Sequence, residues 1–156
     1  MDKQQVYRLI LDRLGADLEV ALRAAKAAHD DATHEESIAE NRYDTLGLEA
    51  SYLAAGQARR VEELRLALTR FQNLVLRPFD EEQGIQPSAL VELVTRDGRS
   101  QWLFLGPDAA GLKVCLDGTE ILVITPRAPL GQALLNRCPG DELEVGGKSY
   151  EIVDAC

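Results

Sequence analysis

The sequence predicts an α+β protein in which an antiparallel coiled-coil helical hairpin precedes a small sheet domain. Proline and glycine are sparse in the first half, since all 6 prolines lie at or after Pro78 and only Gly15, Gly47 and Gly56 of the 12 glycines precede residue 80. Apolar residues recur at steps of three and four before that point and in short runs between turn residues after it. These patterns are typical of helices and of strands.

Two long helices are expected in the first half, over residues 3–31 and 41–74. The first carries an apolar stripe of Val6, Ile10, Leu14, Leu18, Ala21, Ala25 and Ala28. The second carries Ala50, Ala54, Gln57, Val61, Leu64, Leu68 and Phe71, in the alternating spacing of a coiled coil. Because neither helix can bury its stripe alone, we expect them to fold into an antiparallel hairpin over residues 1–76.

The bend of this hairpin, near residues 30–44, is expected to be an acidic tip. It contains the six carboxylates of Asp30, Asp31, Glu35, Glu36, Glu40 and Asp44. The pairs Thr33 with Glu36 and Ser37 with Glu40 fit the capping-box pattern of a helix start, which explains part of this acidity. Asp30 and Asp31 fall near the expected end of the first helix, where negative charge is unfavourable, and so point to a function.

An acidic linker is predicted over residues 77–88, because Pro78 and Pro87 stand near its ends. The sheet domain follows over residues 89–156. We expect an antiparallel sheet with one short helix over residues 129–137, where a proline stands at the start and Pro139-Gly140 follows. The predicted strands, separated by turn residues, are 90–94, 101–105, 112–116, 121–124, 142–145 and 150–153.

Composition excludes several classes of function. The chain has 26 acidic against 17 basic residues, a net charge of −9, so we expect no direct binding of free nucleic acid. No apolar run approaches the ~20 residues of a membrane span, and the first residues lack a secretory signal pattern. Three cysteines without a C-x-x-C pair suit a reducing compartment and provide no zinc site. We therefore expect a cytoplasmic protein without a membrane partner.

Two segments resemble a known family. Residues 128–145, A-P-L-G-Q-A-L-L-N-R-C-P-G-D-E-L-E-V, resemble the C-terminal signature of the bacterial Gre transcript-cleavage factors, roughly S-P-[IV]-G-x-A-L-[LI]-G-[KR]-x-x-G-D-x-[VI]-x-V. Residues 37–41, S-I-A-E-N, followed by Tyr43, are similar to the family's coiled-coil tip, D-L-x-E-N-x-[ED]-Y. The likeness spans nearly the whole chain, because hairpin, linker and sheet domain come in the family's order.

The resemblance implies a partner, bacterial RNA polymerase, and a role in transcript elongation. It implies that the sheet domain has an FKBP-like fold and sits at the mouth of the polymerase's secondary channel. The residues that match the family's polymerase-binding segment are Arg127, Ala128, Pro129 and Leu130. The hairpin would reach the active centre, where tip acids help to hold a second Mg²⁺ and a water while the polymerase hydrolyses backtracked RNA. The chain would then be a monomer and no enzyme itself, with no tightly bound cofactor beyond Mg²⁺ shared with the polymerase.

Two positions depart from the family pattern. Ser37 stands where the family has its first tip Asp, whereas the second acid is kept as Glu40, the expected ligand of Mg²⁺. Glu36 and Asp44 are the candidates for a second carboxylate, since Asp44 follows Glu40 by four residues on one helical face. Ala128 replaces the serine that usually precedes the motif proline.

Three functions remain open at this point. The first is stimulation of transcript cleavage, and the second is regulation of initiation or pausing by a non-cleaving occupant of the same channel; Ser37 separates them, because one carboxylate holds a metal less well than two. The third is an FKBP-like peptide-binding or prolyl isomerase module, which needs a concave aromatic pocket. The sheet half offers only Trp102, Phe104 and Tyr150, and the first two share a strand face, where a core role is expected.

Overall fold

Two long helices precede a six-stranded sheet, as the sequence predicts. The computed structural model describes the backbone of residues 1–38 and 46–156 and the side chains of residues 1–33 and 51–156. The elements in chain order are α1 (Lys3–Ile38), α2 (Leu46–Gln72), β1 (Leu90–Thr95), β2 (Ser100–Leu105), β3 (Lys113–Leu116), β4 (Thr119–Ile124), α3 (Pro129–Leu134), β5 (Glu142–Val145) and β6 (Lys148–Ala155). The chain divides into a helical unit, Arg13–Thr69, and a sheet unit formed by Met1–Asp12 with Arg70–Cys156.

The helical unit buries one stripe of each helix. Among the described side chains of this unit, the buried apolar ones are Leu14, Ala21, Ala28 and Ala32 on α1 and Val61, Leu64 and Ala67 on α2. Steps of three, four and seven residues place each set on a single helical face. Two helices that each bury one stripe within one unit form a helical hairpin, and small alanine side chains permit a close approach of the helix axes. In the described part of the chain, no helix is long and apolar enough to cross a membrane.

The prediction that the first helix ends near residue 31 is wrong, because α1 continues to Ile38. Ala32 is buried like Ala28, so the apolar stripe extends by another turn, and residues 31–38 contain neither glycine nor proline. Thr33 consequently lies inside α1 and does not cap a new helix. Asp30 and Asp31 lie about two turns before the end of α1, so the terminal dipole does not disfavour their charge there, and their predicted link to a function stays a prediction.

The segment predicted as a linker, residues 77–88, is hydrogen-bonded to the turn after α3. Ile85 is fully buried, its N–H donates to the carbonyl of Arg137 (2.8 Å), and its carbonyl accepts from the N–H of Asn136 (2.9 Å). Gly84 precedes it with a φ of 71°, and a Cβ there would lie 2.5 Å from the carbonyl carbon of Asn136. This segment is therefore part of the packed sheet unit. The bounds of the three predicted segments, 1–76, 77–88 and 89–156, stay predictions.

The sheet has the order β3-β4-β2-β1-β6-β5 and is mixed. The expectation of a purely antiparallel sheet is corrected at one pairing, since β2 and β4 run parallel. The strand β4 buries Ile121, Val123 and Ile124, on both of its faces, whereas β3 exposes Lys113 and Cys115. The apolar strand therefore lies inside the sheet and β3 forms its edge. The strands β3 and β4 are antiparallel neighbours. The strand β4 therefore runs opposite to β3 and in the same direction as β2.

Both faces of the sheet contribute to the core of the sheet unit. On one face, side chains of β1, β2, β4 and β6 form a cluster with Ile85 and with Leu134 of α3. On the other face, Phe104 of β2 is fully buried and its ring centroid lies 6.2 Å from that of Phe71. Phe104 thus has the core role that the sequence predicts, whereas Trp102 on the same face is half-buried.

Candidate functional site

The residues that the Gre resemblance assigns to polymerase binding lie in the turn that follows β4 and in the first turn of α3. We call residues 125–131 the docking loop. Arg127 and Pro129 are exposed, whereas Ala128 and Leu130 are half-buried, and Leu130 packs against the core cluster. The docking loop therefore presents a guanidinium group and a proline ring to solvent from a position that is anchored in the core.

Close main-chain packing fixes the conformation of the docking loop. Thr125 is buried at its start, and its carbonyl accepts a hydrogen bond from the N–H of Ala128 (3.1 Å). At the end of the loop, a Cβ added to Gly131 would lie only 2.0 Å from the same carbonyl oxygen of Thr125. Three residues further on, Leu134 is fully buried. Only glycine permits this approach, so the sequence specifies how α3 is seated on the sheet.

Ala128 is the N-cap residue of α3 but makes no capping bond through its side chain. Its φ of −73° and ψ of 149° are those of an N-cap, and proline stands in the first helical turn. We expect Ala128→Ser to raise the free energy of unfolding by about 1 kcal/mol, because the serine hydroxyl would accept a hydrogen bond from a main-chain N–H of the first turn. Urea denaturation measures this change. Ala110→Ser, on an exposed turn, is the control, and a gain no larger than that of the control would contradict the prediction.

The tip carboxylates that are candidate ligands of Mg²⁺ lie outside the residues whose side chains the structure describes. Glu40 and Asp44 fall outside the described residues, and Glu36 and Ser37 lie in the last turn of α1, with side chains that are not described. Their predicted roles toward Mg²⁺ therefore stay predictions. Within residues whose side chains are described, no group of three or more His, Cys, Asp or Glu is arranged to hold a metal ion.

Acidic side chains face one another across two strand pairs of the sheet, β5 with β6 and β1 with β6. The register places Glu142 of β5 directly opposite Glu151 of β6, and Glu92 of β1 opposite Asp154. Glu92 accepts a hydrogen bond from the hydroxyl of Ser100 (2.7 Å). Like charges in direct cross-strand opposition are destabilising. The sequence analysis missed these acidic pairs because the strand register determines which residues lie opposite one another. The register cannot be determined from the individual strands.

We expect Glu151→Lys to raise the free energy of unfolding by about 0.5–1 kcal/mol, since it replaces a repulsive cross-strand pair by an attractive one. The gain should shrink as salt is added, because the pair is exposed. Glu81→Lys changes the net charge equally on an exposed turn and is the matched control for urea denaturation. Equal gains in both variants would show that net charge alone is responsible and would contradict a role of the register.

Ionisation is perturbed at two half-buried groups of the sheet unit. Burial lowers the pKa of Lys3, whose ammonium donates a hydrogen bond to the carbonyl of Arg77. Burial raises the pKa of the Cys156 thiol, and nearby Lys3 opposes that rise. The thiol is thereby kept in its less nucleophilic, protonated form. In the exposed turn between β1 and β2, the hydroxyl of Thr95 lowers the pKa of Asp97, assisted by Arg99.

The aromatic residues of the sheet do not come together in one described groove. Trp102 lines a groove of about 540 Å³ beside β3 and β4, and Tyr150 lines a different groove of about 530 Å³ between β1 and β5. Phe104 is buried against Phe71. An aromatic-lined pocket, which a prolyl isomerase would need, is not formed by these three side chains.

The fold defines the class of protein: two long helices that form a hairpin precede a mixed six-stranded sheet in the chain. The docking loop of this sheet exposes Arg127 and Pro129. No family model matches the chain, and neither does any curated protein. Among solved structures, the chain is similar to GreA factor homolog 1 (Gfh1) of Thermus thermophilus, with 24% identity over 94% of each chain and a TM-score of 0.39. It is also similar to a structure of the transcription factor Gfh1 (20% identity, 93% of this chain and 92% of that chain, TM-score 0.39) and to Thermus aquaticus Gfh1 (23% identity, 92% of each, TM-score 0.35).

The first of these structures is of a protein named as a GreA factor homologue. All three matches are below 25% identity and below a TM-score of 0.5.

Proposed function

We propose that this chain is a Gre-type transcription factor that binds bacterial RNA polymerase and inserts its hairpin into the secondary channel. One observation carries the proposal: the residues that match the Gre signature coincide with a rigidly held, solvent-facing turn. Gly131 lets the chain approach the carbonyl of Thr125, and this fixes the turn that exposes Arg127 and Pro129. An exposed basic and apolar pair on a fixed backbone is suited to recognising a protein surface.

The dimensions of the first helix agree with a probe of this kind. The helix α1 has 36 residues, which at ~1.5 Å per residue correspond to ~54 Å. The described part of its buried stripe toward the tip consists of alanine, and alanine allows two helices to pack at the close end of the usual range of axis distances. A slender hairpin is the shape that a narrow channel admits.

In this proposal the tip supplies carboxylate oxygens and the polymerase performs the hydrolysis. Glu40 and one further acid, Glu36 or Asp44, would hold Mg²⁺, because Mg²⁺ prefers hard oxygen ligands. Mg²⁺ held there would activate the attacking water. The contribution of this chain is to carry those oxygens to the channel and to hold them there through the docking loop.

A second candidate function is occupation of the channel without cleavage, with an effect on initiation or pausing. Ser37 favours it, because a serine stands where the family has its first tip Asp and a hydroxyl is a weaker Mg²⁺ ligand than a carboxylate. Docking through Arg127 and Pro129 is common to both candidates. They differ only in the chemistry of the tip.

RNA cleavage in a purified, backtracked elongation complex with Mg²⁺ separates the two candidates. Cleavage by the native chain that Glu40→Ala abolishes would identify a cleavage factor with a second acid in place of Ser37. No cleavage by the native chain, together with competition against a known channel-binding factor and gain of cleavage in Ser37→Asp, would identify a non-cleaving occupant. The absence of both cleavage and competition would contradict the proposed function.

A further inference from the structure

A groove of about 610 Å³ lies in the sheet unit, where the chain leaves α2. Its lining comes from three separated parts of the sequence and includes Asn73, Val75, Arg77, Gln86, Pro87 and Pro107. The sequence analysis did not find it, because residues 77–88 were predicted as a linker and the groove forms only when this segment packs in the sheet unit. The volume lies within the ~300–1,000 Å³ of common ligand sites.

The groove is positively charged in a protein that is negatively charged overall. Two arginines and no carboxylate are found among its described lining residues, although the chain has a net charge of −9. Arg70 forms an ion pair with Asp108 (2.8 Å). The guanidinium of Arg77 is exposed and has no ion-pair partner within residues 1–33 and 51–156. Arg77 is therefore the positive charge that the groove offers to a ligand.

The backbone that carries this guanidinium is held in place. The N–H of Arg77 donates to the hydroxyl oxygen of Ser88 (3.0 Å), and its carbonyl accepts from the ammonium of Lys3. Ser88 is itself buried. A charge on a fixed backbone costs less entropy to engage than one on a mobile loop, so Arg77 is preorganised for binding.

The floor of the groove combines apolar side chains with unpaired main-chain groups. Val75 exposes 67% of its surface, beside the two proline rings. Over the described residues, the main-chain N–H and C=O groups of Val75 make no hydrogen bond. Free donors and acceptors next to an apolar surface are what an extended peptide uses when it pairs with a protein main chain.

We propose that this groove binds an acidic peptide segment of a partner protein. A carboxylate of the segment pairs with Arg77, an aliphatic side chain packs on Val75 and Pro87, and the segment's main chain pairs with Val75. Charge complementarity selects this occupant, since the described lining of the groove offers the guanidinium of Arg77 and no carboxylate. The proposal uses neither the docking loop nor the tip, so it stands independently of the proposed function.

The test is a titration of the ¹⁵N-labelled full chain with the acetylated, amidated peptide Asp-Leu-Asp-Leu-Asp. We expect saturable shifts of the backbone amides of Asn73, Val75, Leu76 and Arg77. The peptide Lys-Leu-Lys-Leu-Lys should leave these amides unchanged. N-acetylaspartate, which carries the charge without the apolar and main-chain contacts, should shift them far less at equal concentration.

Three variants locate the interaction. Arg77→Gln should weaken the peptide affinity about tenfold, the effect of losing one charge-assisted hydrogen bond. Val75→Asp should abolish binding, because it removes the apolar contact and adds a repelling charge. Arg59→Gln makes the same charge change on the exposed face of α2 and should leave the affinity unchanged. Circular dichroism should be identical in all three, since each side chain is exposed.

Several outcomes would overturn the proposal. They are the absence of shifts at the groove amides, equal binding of the basic peptide, equal shifts with N-acetylaspartate, and equal weakening by Arg59→Gln. Concentration-dependent self-association that Val75→Asp abolishes, without peptide binding, would instead assign the groove to a second copy of the chain.

Discussion

Gly131→Ala is expected to lower the free energy of unfolding by about 3 kcal/mol. The added Cβ would lie 2.0 Å from the carbonyl oxygen of Thr125, 2.8 Å from its carbonyl carbon and 3.2 Å from the Cα of Pro126. All three are main-chain atoms, so no side-chain rotation relieves the overlap, and the first turn of α3 must move away from Thr125 and Pro126. Alanine gains up to about 1 kcal/mol over glycine in a helix, which offsets only part of this cost.

Urea denaturation measures the effect, and the chain offers a matched control. Gly15 lies inside α1 and would have nothing within 4 Å of an added Cβ. Gly15→Ala should therefore raise stability by up to about 1 kcal/mol. A Gly131→Ala variant as stable as the native chain would show that the loop is not closely packed. If the variant remains folded, we also expect weaker binding to RNA polymerase, because Arg127 and Pro129 are displaced.

Phe71→Ala is expected to destabilise the chain by about 3–5 kcal/mol, as for other buried aromatic residues. Phe71 is fully buried, its ring lies 6.2 Å from that of Phe104, and it fills the space left by Gly106, where a Cβ would be 2.6 Å from its Cζ. Its carbonyl also accepts a hydrogen bond from the hydroxyl of Tyr7 (2.6 Å). The truncation leaves a cavity against the sheet that these fixed neighbours cannot fill.

Tyr52→Ala provides the comparison for this variant. Tyr52 is an aromatic residue on the same helix but exposes 70% of its surface. Its truncation should change the free energy of unfolding by less than about 0.5 kcal/mol. Similar losses for Phe71→Ala and Tyr52→Ala would mean that Phe71 does not join α2 to the sheet and would contradict the described core.

Secondary structure was readable from the sequence wherever one period dominated. The stripe from Val6 to Ala28 identified α1, and the apolar runs 112–116 and 121–124, separated by turn residues, identified β3 and β4. The end of α1 was misjudged because a capping-box pattern at Thr33 competed with the continuing alanine stripe, and burial of Ala32 decided between them. Local signals of this kind cannot tell how tertiary packing will choose.

Long-range relations were not readable from the sequence. The parallel pairing of β2 and β4 depends on which strand of a hairpin is apolar on both faces. The packing of residues 77–88 depends on Ile85, a fully buried apolar side chain in an acidic segment. The docking loop was located by its resemblance to the Gre signature. Its rigidity was not, because the approach of Gly131 to Thr125 involves two residues whose distance is fixed only by the fold.

Binding of the purified chain to immobilised bacterial RNA polymerase core enzyme tests the central claim most directly. We predict saturable binding that the double variant Arg127→Ala with Pro129→Ala weakens at least about tenfold, since residues of this kind dominate the energy of protein interfaces. Arg137→Ala, on an exposed residue outside the docking loop, should bind like the native chain. No binding by the native chain, or equal binding by the double variant, would contradict the assignment of the docking loop.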